Sequence, residues 1–140
     1  MKATLLITVF SILLFSCQPE KTTSESTAVG VSQKQGVQSV DAVSFKNLSE
    51  KENTIILDVR TPQEVAEGKI PNATVINIYD PEFESKAKQL DKEKSILIYC
   101  SAGVRSAQAA EFLTEQGYPS VYHLEGGLGD WYRNGFPLEK

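Results

Sequence analysis

Three short apolar runs, each rich in β-branched residues, restrict the possible fold more than any other feature of this sequence. They cover residues 54–59, 73–78 and 95–99, and a fourth candidate strand covers residues 120–124. Apolar runs of this length without a polar face are typical of strands that are buried on both faces, as in parallel sheets. The sequence therefore predicts a parallel sheet that is covered on both sides.

Segments with helical signals lie between and after these runs. Pro62 and Pro81 suit first-turn positions, and Gly117 suits the position just past a helix end. The predicted helices cover residues 43–50, 62–67, 81–90 and 104–116, and a last short helix extends through Trp131. Strands that alternate with helices predict an α/β domain with a mostly parallel central sheet, in which chemistry collects at the carboxyl ends of the strands.

The N-terminal residues 1–17 have the pattern of a signal peptide. Lys2 precedes an apolar stretch that runs from Leu5 to Phe15, which is shorter than the ~20 residues of an ordinary membrane-spanning helix. The tetrad Leu14-Phe15-Ser16-Cys17 then resembles the lipobox of bacterial lipoproteins, in which the cysteine is lipidated. The resemblance implies a membrane anchor at Cys17, in the bacterial cell envelope and facing the periplasm or the cell surface.

The remainder of the chain divides into a linker and one folded domain. Residues 18–37 are polar and rich in Ser, Thr and Gln, with too few large apolar side chains to form a core, and they predict a disordered linker. Residues 38–140 have the length and composition of a single domain. We expect this domain to be a monomer.

Charge and residue counts exclude several classes of function. The chain has 14 Lys and Arg against 18 Asp and Glu, a formal charge of -4, and no basic run, which argues against a nucleic-acid partner. His123 is the only histidine, so we expect no metal site and no cofactor. The two cysteines, Cys17 and Cys100, lie in segments of different character, which argues against a disulfide.

Cys100 stands at the most informative position in the sequence, after a predicted strand and before the clearest predicted helix. Ser101, Ala102 and Gly103 are small enough to let backbone amides face its sulfur. Those amides, the helix dipole and the cation of Arg105 all favour an anion. We therefore predict that Cys100 is largely ionised at neutral pH, although a lone cysteine at the end of a buried strand is, by itself, more typical of a small packing residue.

Four segments in the expected order give residues 38–140 a close resemblance to single-domain rhodanese-like sulfurtransferases. Each segment matches one signature of that family, and the third matches its active-site loop. They are Leu57-Asp58-Val59-Arg60 with Glu64, Gly68 to Ala73, Cys100 to Ser106, and Leu124 to Gly127 with Trp131, Gly135 and Pro137. The resemblance implies a three-layer sandwich with a five-stranded, mostly parallel central sheet, and sulfur transfer through a persulfide on Cys100.

The resemblance also implies roles for the residues of the loop. Backbone amides from Ser101, Ala102, Gly103, Val104 and Arg105 would hold the anionic outer sulfur, Arg105 would brace the loop, and Ser106 would cap or hydrogen bond nearby. The donor would be a small sulfur-containing anion and the acceptor a thiol or cyanide. Because Ser101 and Ala102 are neutral, thiosulfate, polysulfide and persulfide all stay open as donors.

Three ionisable residues near the predicted site favour structural roles. Asp58 and Arg60 lie at the end of a neighbouring predicted strand, where their charges could reach the site, but pairing with each other and with Glu64 is the favoured interpretation. His123 lies within a predicted core strand and is interpreted as a packed, hydrogen-bonded residue rather than an acid or base.

Other functions remain open at the level of sequence. A phosphatase could share this fold, but the family's phosphatases have five residues between cysteine and arginine, whereas Cys100 and Arg105 enclose the four residues 101–104. A non-catalytic binding module or a redox sensor in the cell envelope could also use the same scaffold.

Overall fold

The computed structural model describes residues 36–140. The predicted signal peptide with Cys17, and residues 18–35 of the predicted linker, lie outside the described residues. Between residues 36 and 140 there is no helix with the length and apolar character needed to cross a membrane.

Strands and helices alternate along the described chain. Its elements are β1 (Gln38–Val40), α1 (Ala42–Ser49), β2 (Thr54–Asp58), α2 (Pro62–Ala66), β3 (Thr74–Val75), α3 (Phe83–Ala87), β4 (Ser95–Tyr99), α4 (Val104–Glu115), β5 (Val121–Leu124) and α5 (Gly127–Arg133). The five strands form one sheet in the order β1-β5-β4-β2-β3, and every neighbouring pair is parallel. This architecture confirms the predicted α/β fold with a five-stranded parallel central sheet.

Local sequence explains where the helices begin and end. The hydroxyl of Thr61 accepts from the backbone of Glu64, whose carboxylate accepts in return from the Thr61 amide, and Pro62 opens α2. This capping box satisfies backbone donors that a helix start otherwise leaves free. Gly117, with a φ of +82°, follows the last residues of α4 and confirms the predicted helix stop.

The third predicted strand is shorter and more exposed than its sequence indicates. Strand β3 spans Thr74–Val75 only, and both of its residues are exposed, so the prediction of a doubly buried strand over 73–78 is wrong there. The reason is its place at the sheet edge, where it pairs with β2 alone. Beyond β3 the chain still follows β2 through the Ile76 amide, which donates to the Asp58 carbonyl at 2.9 Å.

Two other boundaries differ from the predictions. Helix α3 spans Phe83–Ala87, and Pro81 lies in the turn before it rather than in its first turn. The predicted helix over 81–90 is therefore too long at both ends. Strand β1, Gln38–Val40, was not among the predicted strands because three residues carry no visible alternation of apolar and polar side chains.

The sheet is covered on both faces by separate apolar clusters. On one face Leu57, Ile96 and Ile98 are fully buried against α3 and α4. On the other face Leu97 and Tyr99 pack against α1 and α5, in a cluster that includes Phe45 and Trp131. Burial of each such side chain contributes ~1.5–3 kcal/mol. These clusters fix β4 at the centre of the sheet, and with it the position of Cys100 at its carboxyl end.

Candidate active site

Cys100 lies at the bottom of a loop that joins the centre of the sheet to the longest helix. It follows Tyr99, the last residue of β4, and only 1% of its surface is exposed. Its Sγ accepts a hydrogen bond from the Gly103 amide at 3.1 Å and lies 3.7 Å from the Ser106 Oγ. The sulfur therefore faces the amides at the start of α4, where an anion is stabilised.

The hydrogen bonds to the Cys100 sulfur lower its thiol pKa by more than burial raises it. Burial alone raises the pKa of the Cys100 thiol, whereas the backbone amides of Ser106, Ala102 and Gly103, with the Ser106 hydroxyl, lower it. The net effect is a thiol pKa below its ordinary value. This direction agrees with the prediction that Cys100 ionises more readily than a free cysteine.

Gly103 is required for the loop to close around the sulfur. Its φ is +96°, and a Cβ placed on it would lie 1.8 Å from the carbonyl oxygen of Glu125. Only a residue without a side chain fits both the left-handed backbone and this contact. The loop after β5 therefore packs directly against the backbone of the loop that holds Cys100.

The start of α5 fixes the other half of the loop. The Leu128 amide donates to the Cys100 carbonyl at 2.7 Å, and the Gly129 amide donates to the Ser101 carbonyl at 3.2 Å. A Cβ on Gly127, whose φ is +58°, would lie 2.5 Å from the Ala102 nitrogen. The carbonyls of Cys100 and Ser101 are thus turned towards α5, and the amides of the loop face the sulfur.

Glu64 ties the loop to helix α2, a contact that the sequence alone did not predict. Its carboxylate accepts two hydrogen bonds from the Arg105 guanidinium, at 2.6 and 2.8 Å, and one from the Ser101 hydroxyl at 2.5 Å. The Arg105 guanidinium holds the pKa of Glu64 far below its usual range, and Glu64 in turn raises the pKa of Arg105. Arg105 thus braces the loop, as the resemblance implies, while its charge is balanced by Glu64.

Two side chains of the loop contribute little to its interior. Ala102 and Val104 are exposed, and Val104 keeps 69% of its surface accessible. Tyr79 is also exposed, and its ring lies 5.8 Å from the Arg105 guanidinium carbon. These residues form the exposed outer rim of the loop.

Asp58 and Arg60 form a buried ion pair behind the site. The Arg60 guanidinium donates to the Asp58 carboxylate at 2.6 to 3.1 Å, and both side chains are at most 3% exposed. Arg60 also donates to the carbonyls of Glu64 and Gly68, and the Tyr99 hydroxyl donates to Asp58 at 2.6 Å. The geometry agrees with the structural interpretation and gives no contact of either charge with Cys100.

Ser106 connects Cys100 to His123. The Ser106 Oγ donates to the Gly103 carbonyl at 2.9 Å and lies 3.5 Å from the His123 Nδ1. His123 is buried, and its Nε2 lies 2.7 Å from the Ser39 Oγ on β1. The prediction that His123 is a packed, hydrogen-bonded residue is confirmed, but its contact with Ser106 was not foreseen.

A groove of 410 Å³ adjoins the loop on the side of Ser101. It is lined by Arg60, by residues of α2 and α5 and by the C-terminal segment, among them Glu64, Leu128, Tyr132 and Leu138. Within residues 36–140, no cluster of three or more His, Cys, Asp or Glu side chains is arranged to hold a metal ion.

A parallel α/β sheet with a cysteine at the end of its central strand, inside a ring of helix-start amides, defines a class of proteins with an anion-stabilising cysteine loop. Within that class the family is shown by sequence. The model of the Rhodanese-like domain family matches residues 41–134, and the chain belongs to this family.

Individual relatives support the assignment over most of their length. The chain is 35% identical to a sulfurtransferase of Allochromatium vinosum over 103 residues, which cover 73% of this chain and 94% of the relative. It is 36% identical to the thiosulfate sulfurtransferase GlpE of Coxiella burnetii, covering 60% of this chain and 77% of the relative. The crystal structure of a rhodanese-related protein from Thermoplasma volcanium superposes with a TM-score of 0.65 at 33% identity, covering 73% and 97% of the two chains.

Proposed function

We propose that this protein is a sulfurtransferase that carries a sulfane sulfur as a persulfide on Cys100. The observation that supports this most directly is the environment of the Cys100 sulfur, which the Gly103 amide meets at 3.1 Å and whose thiol pKa is lowered. The names of the relatives from Allochromatium vinosum and Coxiella burnetii support the same chemistry.

The proposed reaction has two displacement steps. The Cys100 thiolate attacks the outer sulfur of the donor, a new S–S bond forms, and the old S–S bond breaks so that sulfite or a thiolate leaves with the electron pair. A deprotonated acceptor thiol, or cyanide, then attacks the outer sulfur of the Cys100 persulfide and the Cys100 thiolate leaves. The amides of Ala102, Gly103 and Ser106 are placed to stabilise the anionic sulfur in both steps.

The charge balance of the loop favours donors of low charge. Arg105 is the cation of the loop, and its guanidinium is paired with Glu64 through two hydrogen bonds. A thiosulfate dianion would therefore meet little uncompensated positive charge. We propose an organic persulfide, whose terminal sulfur carries a single negative charge, as the donor ahead of thiosulfate and inorganic polysulfide, with a thiol as the acceptor.

Mass spectrometry of the intact protein tests the proposal. The full chain is incubated separately with thiosulfate, with polysulfide and with glutathione persulfide, and then separated from the donor. We expect a gain of one sulfur atom that a thiol or cyanide removes. The two cysteines provide matched variants: Cys17→Ser should keep the adduct, and Cys100→Ser should abolish it. An unmodified protein with all three donors would contradict the proposal.

We also propose, from sequence alone, that Cys17 is lipidated and holds the domain at a membrane of the cell envelope. Leu14, Ser16 and Cys17 match the lipobox, and residues 18–37 would act as the tether. Metabolic labelling with a fatty acid tests this, because label should enter the wild-type protein and be absent from Cys17→Ser. Equal labelling of both proteins, or none of either, would contradict it.

A further inference from the structure

A continuous series of polar contacts links the far edge of the sheet to the Cys100 sulfur. The Ser39 Oγ lies 2.7 Å from the His123 Nε2, the His123 Nδ1 lies 3.5 Å from the Ser106 Oγ, and that oxygen lies 3.7 Å from the Cys100 Sγ. Three elements contribute to the series, since Ser39 is on β1, His123 on β5 and Ser106 in the first turn of α4. His123 and Ser106 are buried, at 6% and 0% exposure.

The position of the imidazole proton determines which neighbours the Ser106 hydroxyl can donate to. Its hydroxyl has one proton and three neighbours that could accept it: the Gly103 carbonyl, the Cys100 sulfur and, if unprotonated, the His123 Nδ1. If Nδ1 carries a proton, it donates to the Ser106 oxygen and leaves the hydroxyl proton to the carbonyl and the sulfur. If Nδ1 carries no proton, it competes with the Cys100 sulfur for the proton of the Ser106 hydroxyl.

The contact between Ser39 and His123 fits the first of these arrangements. When its hydroxyl donates to Nε2, that nitrogen becomes the acceptor and the proton of a neutral imidazole must reside on Nδ1. Burial lowers the pKa of His123 although the charges of Glu125 and Glu111 oppose it, which keeps the ring neutral at neutral pH. A neutral ring has one N–H only, and with the Ser39 hydroxyl as donor to Nε2 that N–H points at Ser106.

We infer that His123 is a positioning residue for the proposed sulfur transfer: an Nδ1–H that donates to the Ser106 Oγ leaves the hydroxyl proton to the Gly103 carbonyl and, once Cys100 is a thiolate or persulfide, to its anionic sulfur. The inference rests on the proposed function for its role in catalysis. His123 does not contact the sulfur in this arrangement, and it neither gives nor takes a proton during the reaction. Its contribution reaches Cys100 through Ser106 alone.

The pKa of the Cys100 thiol is the readout that separates positioning from packing. It is measured in the full chain carrying Cys17→Ser, where Cys100 is the remaining thiol, from the pH dependence of thiolate absorbance and of alkylation rate. Thermal unfolding of each variant is recorded in parallel. Ser106→Ala should raise the thiol pKa by about one unit, since the sulfur loses a charge-assisted donor.

Two substitutions of His123 distinguish a positioning role from a packing role. His123→Leu preserves bulk but removes the donor to Ser106, and it should raise the thiol pKa by about half a unit. His123→Asn is smaller and should lower the melting temperature more, but its side-chain amide can stand in for Nδ1 and should keep the thiol pKa close to wild type. A packing role predicts no change of thiol pKa in either variant.

A double substitution tests whether His123 acts through Ser106. His123→Leu added to Ser106→Ala should give no further rise in the thiol pKa, because the connecting hydroxyl is already absent. A wild-type thiol pKa in His123→Leu, or a full additional rise in the double variant, would overturn the inference. Failure of the proposed function is recognised separately, because it would appear as the absence of any sulfur adduct on wild-type Cys100.

Discussion

Substitution of Gly103 by alanine tests directly how the site depends on its loop geometry. The added Cβ would lie 1.8 Å from the Glu125 carbonyl oxygen and 2.9 Å from its carbonyl carbon, and both are backbone atoms that cannot rotate away. Either the loop after β5 or the Cys100 loop must move. Because the Gly103 amide donates to Cys100 Sγ at 3.1 Å, movement of the loop also disturbs the sulfur.

The loss of stability in Gly103→Ala has two parts, a backbone penalty and a steric overlap. Gly117→Ala is the matched control that carries the backbone penalty alone. Both glycines have positive φ, +96° and +82°, so both substitutions carry the left-handed penalty of ~1–2 kcal/mol. At Gly117 the nearest atom to an added Cβ is the flexible Lys92 Nζ at 3.9 Å, so nothing is displaced there. Gly103→Ala adds an overlap that costs ~1–3 kcal/mol.

Urea unfolding and the thiol pKa together measure the two parts. We expect Gly103→Ala to lose about 2–5 kcal/mol in the free energy of unfolding and to raise the Cys100 thiol pKa by about one unit. Gly117→Ala should lose ~1–2 kcal/mol and keep the thiol pKa of the parent protein. If the two variants lose equal stability and the thiol pKa stays constant in both, the contact with Glu125 does not shape the site.

Two further predictions concern the residues that support the loop. Tyr99→Phe removes the hydroxyl that accepts from the buried Ile70 amide at 3.0 Å and donates to Asp58 at 2.6 Å, and urea unfolding should show a loss of ~1–3 kcal/mol, which an unchanged midpoint would contradict. Glu64→Gln should flatten the acid side of the stability profile: Arg105 depresses the pKa of Glu64, so its stabilisation is complete above the ordinary carboxyl pKa of 4.5 and declines as the pH falls below that value. Both groups are partly exposed, so the difference between neutral and acid pH should shrink by ~0.5–1 kcal/mol, and identical profiles in the two proteins would refute it.

Much of the fold could be predicted because buried strands have runs of apolar residues that are visible in the sequence. Strand β4 is buried and apolar after Ser95 and is bounded as predicted at Ser95–Tyr99, and α4 begins as predicted at Val104. The edge strands could not be predicted equally well, since each pairs on one side only and depends on its neighbour for register. Among the strands, β1 was therefore missed and β3 was predicted too long.

The candidate site divides in the same way between local and long-range contacts. The loop around Cys100 is contiguous in sequence, so small residues followed by a helix start were sufficient to predict its amides. Glu64 and His123 reach the loop from distant positions, 41 residues before Arg105 and 17 residues after Ser106. Glu64 also has a local role in the cap of α2, so its sequence context gave no sign that it would pair with Arg105.

The balance of charges around Cys100 explains how a buried sulfur can be ionised without an unpaired cation beside it. Each nearby arginine has its own carboxylate, Arg105 with Glu64 and Arg60 with Asp58. The thiolate is therefore stabilised chiefly by amides, which lie within the protein and are held by the backbone contact at Gly103. Amides of this kind do not form ion pairs with a departing anion, so in the proposed reaction they would stabilise the sulfur in each step and still release sulfite or a thiolate. A free cation would bind the donor and the leaving group alike, and it would slow the release that the second step requires.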